Sequence, residues 1–151
     1  SALTRGWWEY QKYGKLGISR NDQAPTTQEL QATLLQNSDV FLAAVKAVNK
    51  LRRMFGGGTV PYGVAWIACG LVDEGERDEF FARLEDGQRL EEGNPLFALR
   101  RLLGAGNDRS ARILQPNILL SFMFKAWNKY RAKEDVLVLT VKSSEPIPEP
   151  I

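Results

Sequence analysis

The chain has 151 residues, of which 44% are hydrophobic and 25% are charged, and it carries a net charge of +2. These values are ordinary for a globular protein with one domain. It contains no histidine, which excludes Ser-His-Asp and Cys-His catalysis and the usual zinc site, so a general base would have to be Asp, Glu, Lys or Tyr.

The only cysteine, Cys69, lies in the apolar segment VAWIACGLV. No internal disulfide can form, and we expect a buried thiol in a protein of the reducing cytoplasm. No apolar run approaches the ~20 residues that span a bilayer, and no secretory signal is recognisable, so no membrane partner is expected. Because the chain begins with Ser-Ala rather than Met, we expect further domains upstream in a longer protein.

Charge is distributed unevenly along the chain. Residues 1–54 sum to +4 and Asp73–Glu92 to −6, whereas residues 93–133 sum to +7 and residues 134–151 to −3. This alternation predicts a surface with faces of opposite sign.

The first predicted helix runs from about Leu3 to Tyr13, where two glycines break the pattern. A second helix begins after Pro25, because Thr26 and Glu29 have the spacing of a capping box. Its expected buried stripe comprises Leu30, Leu34 and Leu35.

A short turn at residues 36–38 is expected to separate this helix from a third, about Asp39–Met54, capped by Ser38. Its two faces differ in polarity at helical spacing. The inward face comprises Phe41, Ala44, Val45, Val48 and Leu51. The opposite face comprises Lys46, Asn49, Lys50 and Arg53.

Four more helices are predicted after a glycine-rich loop. Pro61 suits the first turn of one that runs through Ala68. Asp73 caps another that ends near Leu84, and Asn94-Pro95 opens one that ends before Gly104. The last and longest predicted helix runs from Pro116 to about Ala132.

This last helix is apolar around most of its circumference. Its only polar stripe comprises Ser121, Lys125 and Asn128, so we expect it to lie at the centre of the fold. Val136–Val141 has strand character, and the proline- and acid-rich end is expected to be extended. The sequence therefore predicts an all-α protein: a single helical domain of six to seven helices at residues 1–133 and an extended tail at residues 134–151.

Two long segments of the chain resemble a known family. DEFFARLEDGQRLEEGNPLFALRRLL, followed by ILLSFMFKAWNKYRAKEDVLVL and the PIPEP end, is similar to the helical C-terminal domain of phage and actinobacterial ParB-like proteins. APTTQELQATLLQNSDV resembles the corresponding upstream part. The resemblance implies an accessory helical module in DNA metabolism, and a ParB/sulfiredoxin-type domain that precedes it.

The catalytic part of that family is not carried over to this chain. The N-terminal domain of those proteins has an Asp-Gly-Gln-His-Arg type motif, and the most similar string here, Asp86-Gly87-Gln88-Arg89, lacks the histidine. No ParB-type nucleotide or nuclease chemistry is therefore assigned. The expected function is a non-catalytic module that needs no cofactor and that contacts DNA or positions a partner on DNA.

Two groups of basic residues are candidates for nucleic-acid contact. The second and third helices could form a helix-turn-helix with Lys46, Asn49, Lys50 and Arg53 on the reading face. The alternative is an ordinary helical hairpin with a solvated basic face. Four arginines flank the Gly104–Asn107 loop and suit phosphate contact, or are solvated helix-end cations. They are Arg100, Arg101, Arg109 and Arg112.

Three further patterns have structural alternatives. Residues 56–58 could present amides to an anion, but lack a P-loop ending and fit a flexible connection. The acids at 73–79 could hold Mg²⁺ or offset a helix dipole. Trp7, Trp8 and Tyr10 could stack on bases or pack in a core. As an exposed patch, these aromatic residues would favour the alternative function, a protein-interaction or oligomerisation module without nucleic acid.

Overall fold

The structure is a computed structural model that describes residues 1–18, 24–104 and 114–151. Within these ranges the fold is all-α, as predicted, with six helices and no strand. They are α1 (Ala2–Tyr13), α2 (Thr27–Phe55), α3 (Thr59–Val72), α4 (Glu74–Asp86), α5 (Pro95–Leu103) and α6 (Pro116–Ala132). None of the described helices has the length and apolar character needed to cross a membrane.

The helix α3 lies at the centre of the fold, in contact with α1, α2, α4 and α6. Its sequence, TVPYGVAWIACGLV, contains no charged residue, so neighbours can cover it on several sides without burying a charge. The prediction that α6 is the central helix was wrong: α6 packs mainly on α3 and α5 and less on α4. The polar stripe of α6 faces the C-terminal segment instead of another helix.

Two glycines let α1 and α3 approach each other closely. A Cβ atom at Gly6 would overlap with Cγ1 of Val60, and one at Gly63 would lie 2.8 Å from Cδ1 of Leu3. Each helix therefore places a glycine against an aliphatic side chain of the other. Neither position has room for a methyl group without movement of its neighbour.

Two helical segments meet within α2, where a short turn at residues 36–38 was predicted. They join at a kink at Asn37, whose backbone is not helical (φ −130°, ψ 15°). The Asn37 side chain donates a hydrogen bond to the Thr33 carbonyl (2.8 Å), which satisfies that carbonyl at the kink. The expected break is therefore present as a kink, and the use of the two segments as a helix-turn-helix stays a prediction.

The first half of α2 is less buried than predicted. Leu34 and Leu35 are 42% and 82% exposed, and Thr33 is buried in their place. The Thr33 hydroxyl donates to the Glu29 carbonyl (2.9 Å), so it needs no water there. The predicted capping box is confirmed, since Thr26 and Glu29 bond reciprocally to each other's backbone amides.

The starts of α4 and α5 agree with the sequence. Asp73 accepts from the Glu76 amide (2.9 Å), and Asn94 accepts from the Leu96 amide (2.9 Å). Gly104, with φ 117°, ends α5. Short-range cap residues therefore determine these boundaries correctly.

The predicted strand at Val136–Val141 is absent from the described structure. A single antiparallel bridge remains, in which the Val136 amide donates to the Gly93 carbonyl (2.7 Å). No second strand is available for pairing, and the segment instead buries Leu139 against the helices. From there the chain turns at residues 142–145, where the Glu145 amide donates to the Lys142 carbonyl (3.0 Å), and it then runs beside α6 to Ile151.

We expect Gly6, at the α1–α3 crossing, to contribute to the stability of the fold. We expect Gly6→Ala to lower the free energy of unfolding by about 1–3 kcal/mol, because the stiff Val60 side chain cannot move aside easily. Gly75→Ala is the matched control, because Gly75 is exposed in α4 and an added Cβ has ordinary contacts. Urea unfolding measures both, and a Gly6→Ala variant as stable as the wild type would contradict the packing described here.

Candidate functional site

The second half of α2 has a cationic face, defined as Lys46, Asn49, Lys50 and Arg53. Residues 41–55 contain four bases and no acid. Lys46, Lys50 and Arg53 are exposed, and Asn49 is partly exposed. The opposite side of the helix is buried in the core, which confirms the predicted polarity of its faces with one exception: Val45, expected inside, is 43% exposed.

The cationic face is little neutralised by its surroundings. Within the described ranges, no carboxylate oxygen lies within 4.0 Å of the Lys46, Lys50 or Arg53 side chains. Glu85 is the acidic neighbour whose charge acts on Lys50. Burial raises the pKa of Glu85, and Lys50 opposes that shift. The positive charge of the face therefore remains available to an anionic partner.

Arg100, on α5, connects this helix to the end of α4. Its Nη1 donates to the carbonyls of Leu84 and Glu85, the latter at 2.9 Å, at the end of α4. The guanidinium also lies over the Phe55 ring, 5.5 Å from its centroid. These contacts satisfy carbonyls that the helix end leaves open. Arg100 therefore has a structural function that the sequence did not reveal.

Of the remaining predicted arginines, the structure describes Arg101 alone. Arg101 is exposed on α5 and lies over the Phe97 ring, 5.9 Å from its centroid. Arg109 and Arg112 lie outside the described residues. The structure thus brings together the four residues of the cationic face. It also places Arg100 near the end of α2, where its guanidinium lies over the Phe55 ring.

The acidic cluster at the start of α4 stabilises the fold. Asp73 caps the helix, and Arg131 pairs with Asp73 (3.5 Å) and Glu76 (3.2 Å). In the described part of the chain, no group of three Asp, Glu, His or Cys residues could hold a metal ion. The Asp73 carboxylate is therefore engaged by an amide and a guanidinium, and the Glu76 carboxylate by the same guanidinium.

The aromatic residues of α1 do not form an exposed patch. Trp7 is 3% and Trp8 is 9% exposed, and Tyr10 packs on Phe124 with 5.7 Å between ring centroids. Burial, followed by the charge of Glu149, raises the pKa of Tyr10 to about 12. Trp7 and Trp8 are therefore buried, and Tyr10 packs against the core. Core packing, the alternative to base stacking, is the outcome for these residues.

A second surface was not predicted, although two of its residues stood out in the sequence. The polar stripe of α6 holds the C-terminal segment of the chain. Lys125 donates to the Thr140 carbonyl (2.6 Å) and pairs with Glu145 (3.0 Å), and Arg131 donates to the Ile151 carbonyl (3.1 Å). The sequence signal was a narrow polar stripe on a helix that is otherwise apolar.

Asn128, in the middle of this stripe, binds the main chain on both sides of Pro150. Its Nδ2 donates to the Glu149 carbonyl (2.9 Å), and its Oδ1 accepts from the Ile151 amide (2.9 Å). One side-chain amide thereby replaces the neighbouring strand that an extended segment lacks. Pro150, which lies between the two bonds, leaves no main-chain donor unpaired, because proline has no N–H.

The tail also forms one wall of a cleft of about 490 Å³ beside α1 and α3. The other walls include Trp7, Tyr10 and Leu71, while Ile147 and Pro150 contribute the tail side. Leu71 is 74% exposed. The cleft is therefore open to solvent and mostly apolar beside the main chain that Asn128 holds.

Comparison with known proteins gives this chain no relatives: no protein-family model, curated protein or solved structure matches it.

Arg100 and Arg53 should differ in their effect on stability. We expect Arg100→Gln to lower the free energy of unfolding by about 1–3 kcal/mol, because the carbonyls at the end of α4 lose a charged donor. Arg53→Gln, on the exposed face, should leave stability nearly unchanged. Urea unfolding of the two variants tests this, and equal stability would refute the structural role of Arg100.

The Lys125–Glu145 pair should be visible in the titration of Glu145. The hydrogen bond from Lys125 holds the pKa of Glu145 below its ordinary value, so its stabilising contribution is present above that ordinary value. It is lost as the pH falls through the lowered pKa. Lys125→Met should raise the pKa of Glu145 towards its ordinary value. Carbonyl-detected NMR measures it, and an unchanged pKa would mean that this pair does not form in solution.

Proposed function

We propose that this chain is a non-catalytic helical module of a ParB-like protein and that it contacts DNA through the cationic face of α2. The observation that carries the proposal is this exposed face, which has no carboxylate within ion-pair distance among the described residues. The sequence resemblance supports the ParB-like context. The exposed cationic face and the sequence resemblance both agree with a role in binding rather than in catalysis.

The geometry of the face suits the DNA backbone. Lys46, Lys50 and Arg53 follow each other at helical spacing over about 10 Å, a length that covers about three phosphates of one strand. The face belongs to the segment of α2 that follows the kink at Asn37. Contact with phosphates, which gives affinity without much sequence preference, is the mode that this face supports.

Neutralisation of the face should weaken DNA binding in a salt-dependent way. We expect the wild type to bind duplex DNA at about 50 mM salt, with affinity that falls steeply as salt rises. The triple variant Lys46→Gln, Lys50→Gln, Arg53→Gln should reduce the slope of log K against log salt by about 3. Fluorescence anisotropy with labelled DNA measures both slopes.

A charge change elsewhere provides the control for this experiment. Lys15 is also exposed but lies after α1, and Lys15→Gln should bind DNA like the wild type. The proposal fails if micromolar wild-type protein does not bind at low salt. It also fails if the triple variant and Lys15→Gln behave alike.

A specific observation favours the second candidate function, a protein-interaction or oligomerisation module. Leu35, Leu42 and Val45 are 82%, 64% and 43% exposed on α2, and exposed apolar residues on one helix are typical of protein contacts. Self-association through them should be abolished by Leu42→Gln. A strict monomer in light scattering at all concentrations would exclude the oligomerisation form of this candidate.

A further inference from the structure

The C-terminal segment is held on α6 through its main chain and one acidic side chain. Asn128 bonds a carbonyl and an amide on either side of Pro150, and Arg131 bonds the next carbonyl. Lys125 pairs with Glu145. Such contacts recognise an extended backbone with an acidic residue upstream of its prolines, and they do not depend on which protein supplies it.

Apolar surface lies beside this main-chain site. Trp7, Tyr10 and Leu71 form a cleft against Ile147 and Pro150. Grooves lined by aromatic side chains accommodate proline-rich segments, because such segments are already extended and lose little entropy on binding. The site therefore combines side chains that bind an extended main chain with an apolar cleft that accommodates proline.

The tail itself is weakly attached to this site. After Leu139 no residue of the segment is buried: Ile147, Pro148 and Pro150 are half-buried, and Glu145, Glu149 and Ile151 are exposed. Among the described residues, the side chains that hydrogen-bond residues 144–151 from the helical body are three on α6. Segments with few buried contacts open locally at low cost.

We propose that the groove along α6 is a binding site for an extended, proline-rich, acidic peptide of a partner protein, and that residues 144–151 occupy it as an intramolecular competitor. The partner peptide takes the place of this segment, with its carbonyl and amide groups on Asn128 and its carboxylate on Lys125. The tail then controls access, because a peptide binds only to the fraction of molecules in which the groove is open.

The experiment uses the whole chain and a peptide of known sequence. The probe is fluorescein-labelled KSSEPIPEPI, the sequence of residues 142–151, with an amidated end. The triple variant Ile147→Ser, Pro148→Gly, Pro150→Gly loosens the tail, because it removes an apolar anchor and adds chain entropy. Where the tail is open in about 1–10% of wild-type molecules, this variant binds the probe about 10–100-fold more tightly than the wild type.

Main-chain recognition is tested on the peptide and on the protein. A probe methylated at the nitrogen that corresponds to Ile151 loses the bond to Asn128 Oδ1, so its affinity should fall at least tenfold. Methylation at the nitrogen of Ser144 is the matched control. In the loosened background, Asn128→Asp should also abolish binding because the carboxylate cannot donate to a carbonyl. Asn49→Asp, on α2, should not.

Three results would overturn the proposal. The first is no binding of the probe by the loosened variant, with a circular dichroism spectrum that shows intact helices. The second is equal affinity for the two methylated peptides. This comparison is between two peptides on the same protein, so it does not depend on how a protein variant folds. The third is an Asn128-dependent dimer of the wild type in light scattering, because the occupant would then be the tail of a second copy.

Discussion

The structure depends on the burial of α3, a helix without a charged side chain. Its four neighbours come from both ends of the chain, and the α1–α3 crossing is tight enough that Gly6 meets Val60 directly. Apolar burial of this kind contributes about 25 cal/mol per Å², and the hydroxyl of the buried Tyr62 donates to the Gly56 carbonyl (3.0 Å). The cationic face of α2 lies on the outer side of a helix that covers α3, whereas Leu71 of α3 itself lines the cleft beside the C-terminal segment.

Two asparagines of α6 attach irregular segments to this core in similar ways. Asn117 bonds both the amide (2.7 Å) and the carbonyl (3.0 Å) of Leu16, and Asn128 bonds the segment around Pro150. In each case a side-chain amide satisfies main-chain groups that have no strand or helix partner. The segment at Leu16 also inserts a buried apolar side chain, whereas residues 144–151 insert none. The same chemistry thus holds a segment with a buried anchor in one place and a segment without one in the other.

Much of the fold could be predicted because its signals are local. Caps such as Asp73 and Asn94 act within one turn, so the helix boundaries that they define were correct. The break expected at residues 36–38 is a kink at Asn37, because local polarity marks a break without showing how the two helical segments join. The polar face with Lys46 was predicted from periodicity, but the role of Arg100 depends on carbonyls of another helix that sequence spacing cannot place. The tail site was missed because it joins α6 to residues about 20 positions later, as in the Asn128–Glu149 bond.

The position of α3 in the chain has a consequence for biosynthesis. When α3 leaves the ribosome, α1 and α2 are already available to cover it, but α4 and α6 have not yet been made. One side of an uncharged helix therefore remains exposed until Pro116–Ala132 has been synthesised, and transient apolar surface of this kind attracts chaperones or promotes aggregation. Ribosome-bound chains that end before α6 should accordingly be the most dependent on chaperones of all the nascent forms of this protein.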